Sequence, residues 1–174
     1  MRTIDIAVAA VLFLAAGVAA AQAPNDAQIA SIVVTASTVD IDAGKLAESK
    51  SSNAEVKAFA QRMITDHSGV NKSAVDLVTK LKVTPQDNPT SESLKSGGET
   101  NLAHLKGLSG AAFDKAYIDH EVTYHQQVLD ALDKTLIPSA KNEELKALLV
   151  KVRPAFVAHL DHAKMIQSKL AKNS

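Results

Sequence analysis

The chain has 174 residues, 46% of them hydrophobic, with 19 Lys+Arg against 19 Asp+Glu, no Cys, no Trp and six His. That is one domain's length with ample material for a core. Zero net charge and 3% aromatic residues leave neither a basic stripe nor a stacking platform, which argues against a nucleic-acid partner, and the lack of Cys excludes disulfides, thiolate catalysis and cysteine-ligated zinc.

Residues 1–23 read as a secretory signal peptide. Arg2 supplies the positive start, Ile6 to Val18 is an unbroken apolar run, and small residues follow from Ala19 to Ala23. The run is shorter than the roughly 20 residues that span a bilayer. Cleavage after Ala21 or after Ala23 fits the small-residue rule. No second apolar stretch follows, so no transmembrane segment is expected after signal removal. The domain is then 24–174, exported to a bacterial periplasm, either free there or associated with the outer membrane.

Asn25 and Gln28 form a capping pair. Behind them Ile29, Val33, Ala36, Asp40, Ala43 and Ala47 recur at alternating spacings of four and three, one face of a helix. Ser49–Asn53 breaks the pattern. Ser52 and Glu55 read as a second capping box, opening a long helix over roughly 53–82 with the stripe Val56, Ala60, Met63, His67, Val70, Ala74, Leu77 and Leu81. Residues 83–100, with Pro85, Pro89, several Ser and Gly97-Gly98, predict a loop, and 101–108 a short connecting helix. Ser109-Gly110 opens the next helix, whose stripe is Ile118, Val122, His125, Leu129, Leu132 and Leu136, closed by Pro138. Asn142 caps the last, striped by Leu145, Leu149, Val152, Phe156, His159, Ala163, Ile166 and Leu170, with Pro154 expected to kink it near Val150. The fold class is all-α: an up-down four-helix bundle with a long connection between its second and third helices.

Each stripe carries one metal-ligand-type residue in an otherwise apolar seam: Asp40, His67, His125 and His159. A buried polar group destabilises unless it is satisfied. Four of them, one per helix, point to convergence on one ion. Three imidazoles and a carboxylate suit zinc first, with iron, manganese or copper as alternatives. The depths match for Asp40 and His67. His125 lies about 11 residues before the end of its helix and His159 about 18 into the next, a mismatch of about 10 Å. Glu121 shares the face of His125 and lies closer in depth to His159, as does His120. Glu121 therefore joins the ligand set, or a second ion is present, with His120 as a weaker candidate. His162 follows His159 by three and is another weaker candidate, while His104 falls in the connecting segment and reads as surface. Asp66, Asp119 and Asp161 each adjoin a His and could hold a ring across helices. No His has an acidic residue three before it, which argues against a carboxylate-bridged di-iron centre.

Asp40-Ile-Asp-Ala-Gly-Lys-Leu-Ala47, Val56-Lys-Ala-Phe-Ala-Gln-Arg-Met-Ile-Thr-Asp-His67, Phe113-Asp-Lys-Ala-Tyr117 with His125 eight residues on, Arg153-Pro154 and His159-Leu160 together resemble a bacterial family of exported, ferritin-like helical bundles. That family is catalogued as a domain of unknown function. The resemblance spans roughly 27–171 and implies a ferritin-like fold and metal binding at His67, His125 and His159. Family members tend to have Glu where this chain has the shorter Asp40. The expected function is metal handling or envelope stress rather than turnover. The rival readings are a metal-free helical interaction module, binding a second copy or another envelope protein, and a metal-dependent oxidase.

Overall fold

The computed structural model describes residues 23–172. The expected signal peptide lies outside them except for its last residue. Every element among the described residues is helical. There are five long helices: α1 (Asp26–Lys50), α2 (Ala54–Leu81), α3 (Pro89–Lys106), α4 (Gly110–Ala131) and α5 (Glu143–Lys172). Beyond α4 the chain continues through a π-helical turn at Leu132–Leu136 and one last α turn at Ile137–Ser139 before reversing.

The helices start where the capping chemistry places them. Asn25 and Gln28 form the reciprocal capping box on α1, with bonds of 3.0 and 2.9 Å. Asn142 accepts from the amides of Glu144 and Leu145 to open α5. The cap of α2 is Asn53, which accepts from Glu55 and Val56, and not Ser52. The neighbouring Ser51 Oγ instead accepts from the Asn53 amide. Pro154 lies inside α5, where it removes one amide from the ladder, yet the helix runs on unbroken.

The predicted 83–100 loop is the main correction. An 18-residue helix, α3, occupies most of it, so the described residues form five long helices rather than four. Its start was legible. Asn88 accepts from Thr90 and Ser91, and Pro89 takes the first turn, where no amide is needed. Its packing face was not. The buried residues are Ser91, Gly98 and Leu105, with Leu94 partly buried between them. They are spaced as a helical stripe, but two of them are residues that normally signal a turn. Gly98 is there for proximity. A Cβ on it would stand 2.7 Å from Val39 Cγ2 of α1, so only a glycine lets the two helices lie this close.

Contacts at the helix ends show why a helix must run there. The chain leaving α2 bonds to the start of α1, through Gln86 N to Ala27 O and Asn88 Nδ2 to Gln28 O. At the other end the Lys50 ammonium of α1 donates to the carbonyls of Leu105 and Lys106. Since α2 ends beside the start of α1, while α3 ends beside the end of α1, α3 travels the length of the molecule. Eighteen residues at about 1.5 Å each cover roughly 27 Å. The helices therefore alternate in direction through all five. Asp26 ties the last reversal down by accepting from the amides of Lys141 and Asn142.

The apolar residues form two clusters. One gathers Ile29, Ile32 and Val33 of α1 with Val70 and Ala74 of α2, Leu129 of α4, Leu132 and Leu136 of the π turn, and Leu145 to Leu160 of α5. The other gathers Ala43 and Ala47, Val56 to Met63, Leu105, Phe113 to Ile118, and Ala163 and Ile166. On α1, α2 and α4 the chain passes from one cluster to the other through a polar position: Asp40, His67, and the pair Glu121 and His125. On α5 the crossing lies at His159. A buried polar layer thus separates two apolar halves.

Candidate metal centre

The polar layer holds Asp40 from α1, His67 from α2, Glu121 and His125 from α4, and His159 from α5. Each is no more than 3% exposed. His67, His125 and His159 each offer a ring nitrogen within 4.8 Å of the others, and Asp40, Glu121 and His125 form a second such group. The depth mismatch expected between His125 and His159 does not arise. Their ring centroids are 5.3 Å apart. The reason is the π turn, which carries the helix on to Ser139 instead of stopping at Leu136. Measured from the true reversal, the two residues differ in depth by about two residues, or roughly 3 Å.

Hydrogen bonds select the free nitrogen on two of the three rings. His125 Nδ1 lies 3.0 Å from the Glu121 carbonyl oxygen. A carbonyl only accepts, so Nδ1 carries the proton and Nε2 presents its lone pair. That Nε2 has no hydrogen-bond partner and stands 3.5 Å from Asp40 Oδ2. On His159 the roles are exchanged. Nε2 donates to Asp66 Oδ2 at 2.8 Å, and Nδ1 is buried without a partner. Asp66 is in turn held by Arg62 Nε at 3.3 Å. A carboxylate that fixes the outer nitrogen of a histidine is the usual support for a metal ligand. His67 has no such support. Its Nε2 approaches Asp40 Oδ2 at 3.2 Å without hydrogen-bond alignment, and neither of its nitrogens is bonded. Its ring is stacked on Phe156 instead, 8° from parallel at 5.1 Å.

Burial decides the charges in this layer. It pushes the Asp40 carboxyl well above the usual range, helped by the neighbouring Glu121 and opposed by His125. Burial alone raises Glu121 to about 8. His67 is held far below an ordinary imidazole, by burial first and then by His125 and His159. His159 is lowered to about 4, again chiefly by burial, although the bond to Asp66 works against this. Near neutral pH the ion-free layer thus keeps Glu121 protonated and both of these rings neutral.

The other histidines lie outside the layer. His120 is half-buried and packs on Tyr124, with centroids 5.6 Å apart. His162 is half-buried and meets the Phe59 ring edge-on at 5.4 Å. His104 is exposed on α3. Neither His120 nor His162 joins a ligand group among the described residues. Two features of α4 were not read from the sequence. Tyr117 is fully buried with an unpartnered hydroxyl, and its phenol is pushed up by burial and by Glu121 and Asp40. Asp114 is also buried, with Oδ1 unpartnered. Stepping back by fours from His125 through Glu121 reaches Tyr117 and then Phe113, so the signal for Tyr117 was present in the stripe.

A family model described as a domain of unknown function, DUF4142, matches residues 13–166. No curated protein and no solved structure matches the chain.

Proposed function

We propose a function for this chain, which belongs to the DUF4142 family, a domain of unknown function, from the chemistry of its buried layer: it is a metal-binding helical bundle of ferritin-like type. It is exported to the periplasm and holds one transition-metal ion for metal handling or envelope stress. The observation that carries this reading is the set of unpartnered polar atoms. Asp40, His67, Glu121, His125 and His159 each have at least one buried nitrogen or oxygen with no hydrogen bond. One such atom costs about 1–3 kcal/mol, and five residues meeting at one level share a single remedy, a cation between them. His125 belongs to both ligand groups but has only Nε2 to give, which favours one ion over two.

The donor set is three neutral imidazoles with Asp40 and Glu121. Zinc suits the nitrogen-rich part, with bonds of about 2.0–2.1 Å to each imidazole. The two carboxyls also suit iron, and copper binds such sites tightly. Coordination would displace the proton of Glu121 and tie the polar layer of α1, α2, α4 and α5 into one unit.

Elemental analysis of the purified protein tests the reading, combined with melting curves with and without added zinc. The expected result is near-stoichiometric metal and a higher melting temperature with metal, because the ion binds only the folded chain. His67→Ala, His125→Ala and His159→Ala each remove most of the increment, Asp40→Asn removes less, and His104→Ala none. Seam variants that lose stability equally with and without metal would overturn it.

A further inference from the structure

The half of the molecule nearer the α1 N-terminus contains a partly open cavity of about 210 Å³. Its inner wall belongs to the core: Leu132, Leu149 and Phe156 line it, each no more than 5% exposed. The His67 ring also lines it, but neither ring nitrogen has accessible surface there. Tyr124 lines it with its hydroxyl already engaged, donating to the Ala36 carbonyl at 2.8 Å. Thr90 of α3 and Gln127 of α4 are the two exposed residues of the lining, so the cavity meets the surface between those helices. No Asp, Glu, Lys or Arg lines it.

We propose that this cavity binds a neutral amphiphile with a single alkyl tail of about eight carbons, its tail directed inward and its polar head at Thr90 and Gln127. The distribution of polarity points to such a shape. Apolar side chains from all five helices and the π turn make the inner wall, while the exposed hydrogen-bonding side chains stand at the mouth. Poorly held water leaves an apolar wall with a gain in affinity when an apolar group replaces it. A ligand therefore needs hydrogen-bonding capacity at its outer end alone.

The absence of lining charge selects a neutral head. An ionised one would lose part of its hydration at the mouth with no opposite charge on the wall to offset the loss. Volume sets the tail. An apolar cavity of about 150 Å³ accepts benzene, so in proportion 210 Å³ accepts about eight carbons. A two-tailed lipid brings several times that number, which leaves a single tail. This site goes beyond the metal reading and does not depend on it, because His67 contributes only the carbon surface of its ring and no other lining residue belongs to the candidate ligand set.

The test is calorimetric titration of the purified protein with 1-butanol, 1-hexanol, 1-octanol and 1-decanol, and with octanoate at pH 7. The expected result is saturable 1:1 binding that tightens about fourfold per methylene up to octanol and no further at decanol. Octanoate should bind at least about tenfold more weakly than octanol, since its charge has no partner on the wall. Ala131→Leu and Val128→Phe fill the cavity from two wall positions, so a folding failure in one leaves the other to report. Each should abolish octanol binding. Gln127→Lys supplies a cation at the mouth and should shift the preference towards octanoate. Absence of saturable octanol binding overturns the proposal. So does affinity that keeps rising equally to decanol, octanoate binding as tight as octanol, unchanged octanol binding in a folded cavity-filled variant, or an octanoate preference that Gln127→Lys leaves untouched.

Discussion

Asp66 illustrates how one exposed carboxylate sets the chemistry of a buried ring. Its side chain is 36% exposed, yet it holds His159 Nε2 at 2.8 Å and so leaves Nδ1 as the atom facing the layer. Asp66→Asn can still meet the ring, but its amide no longer accepts as strongly or selects the tautomer as firmly. Such outer partners are typically worth 10–100-fold in metal affinity. Asp66→Asn should therefore weaken zinc binding by about that factor, measured by competition with a chelator, while the metal-free melting temperature changes little. Full retention of affinity would show that His159 is not a ligand through Nδ1. Glu121 makes a second prediction at this scale. Its carboxyl, raised to about 8 by burial, enters the pH 7 reaction protonated. Zinc binding at pH 7 should release at least the Glu121 proton. Calorimetry in buffers of differing ionisation enthalpy reads this number directly, and zero release would place Glu121 outside the ligand set.

At the scale of the element, α3 contains two adjacent glycines with opposite duties. Gly97 has nothing within 4 Å of where a Cβ would stand, whereas at Gly98 two Val39 methyl carbons lie at 2.7 and 2.8 Å. Both sit inside a helix, where glycine is disfavoured against alanine by roughly 0.5–1 kcal/mol. Gly97→Ala should stabilise by about that amount. Gly98→Ala should destabilise by about 1–3 kcal/mol, because the helix must move off Val39 or strain it. Urea denaturation separates the two, and the same sign for both would mean that α3 does not pack on α1 in this register. The π turn has a comparable role at the end of α4. By carrying the helix on to Ser139 it brings His125 level with His159. Arg153 of α5 clamps that turn through a two-pronged pair with Asp133, at 2.6 and 2.7 Å.

For the whole molecule, the buried layer sets the pH at which the ion-free fold is most stable. His67 and His159 have folded pKa values below the 6.5 of a free imidazole. Their contribution is present above 6.5 and is lost as pH falls towards about 4, because the unfolded chain takes up protons that the folded one refuses. Glu121 and Asp40 are shifted the other way, from 4.5 and 3.8 upwards. Their contribution is present below those values and is lost as pH rises, for Glu121 through about 8. The two trends cross, so the chelator-treated protein should be most stable between about pH 4.5 and 6.5. An ion replaces the carboxyl protons and uses neutral imidazoles, so zinc should move the optimum above about pH 7. Denaturation midpoints across pH 4–9, with zinc and with chelator, give both optima. An optimum that stays put on adding zinc would show that the layer does not exchange protons for metal.

The sequence by itself determined the helical class, four of the helices and the members of the polar layer. Their signals are local: a 3.6-residue apolar repeat, Asn caps at residues 25 and 142, and single polar residues interrupting each seam. Burial then makes those interruptions costly enough to be noticed. Three things waited for the tertiary structure. The helix α3 was hidden because its packing face is built from Ser91 and Gly98, residues chosen for closeness to α1 rather than for hydrophobicity. The meeting of His125 and His159 depended on a π turn, which no spacing rule announces. The nitrogen that each ring presents depended on partners far away in sequence, as with Asp66 and His159, or on the ring's own backbone, as with His125 and the Glu121 carbonyl. Periodicity reports which side of a helix faces inward. Only the packed chain decides how far along its axis each helix sits and which atoms are left unpaired, because depth and hydrogen bonding are properties of neighbouring helices together.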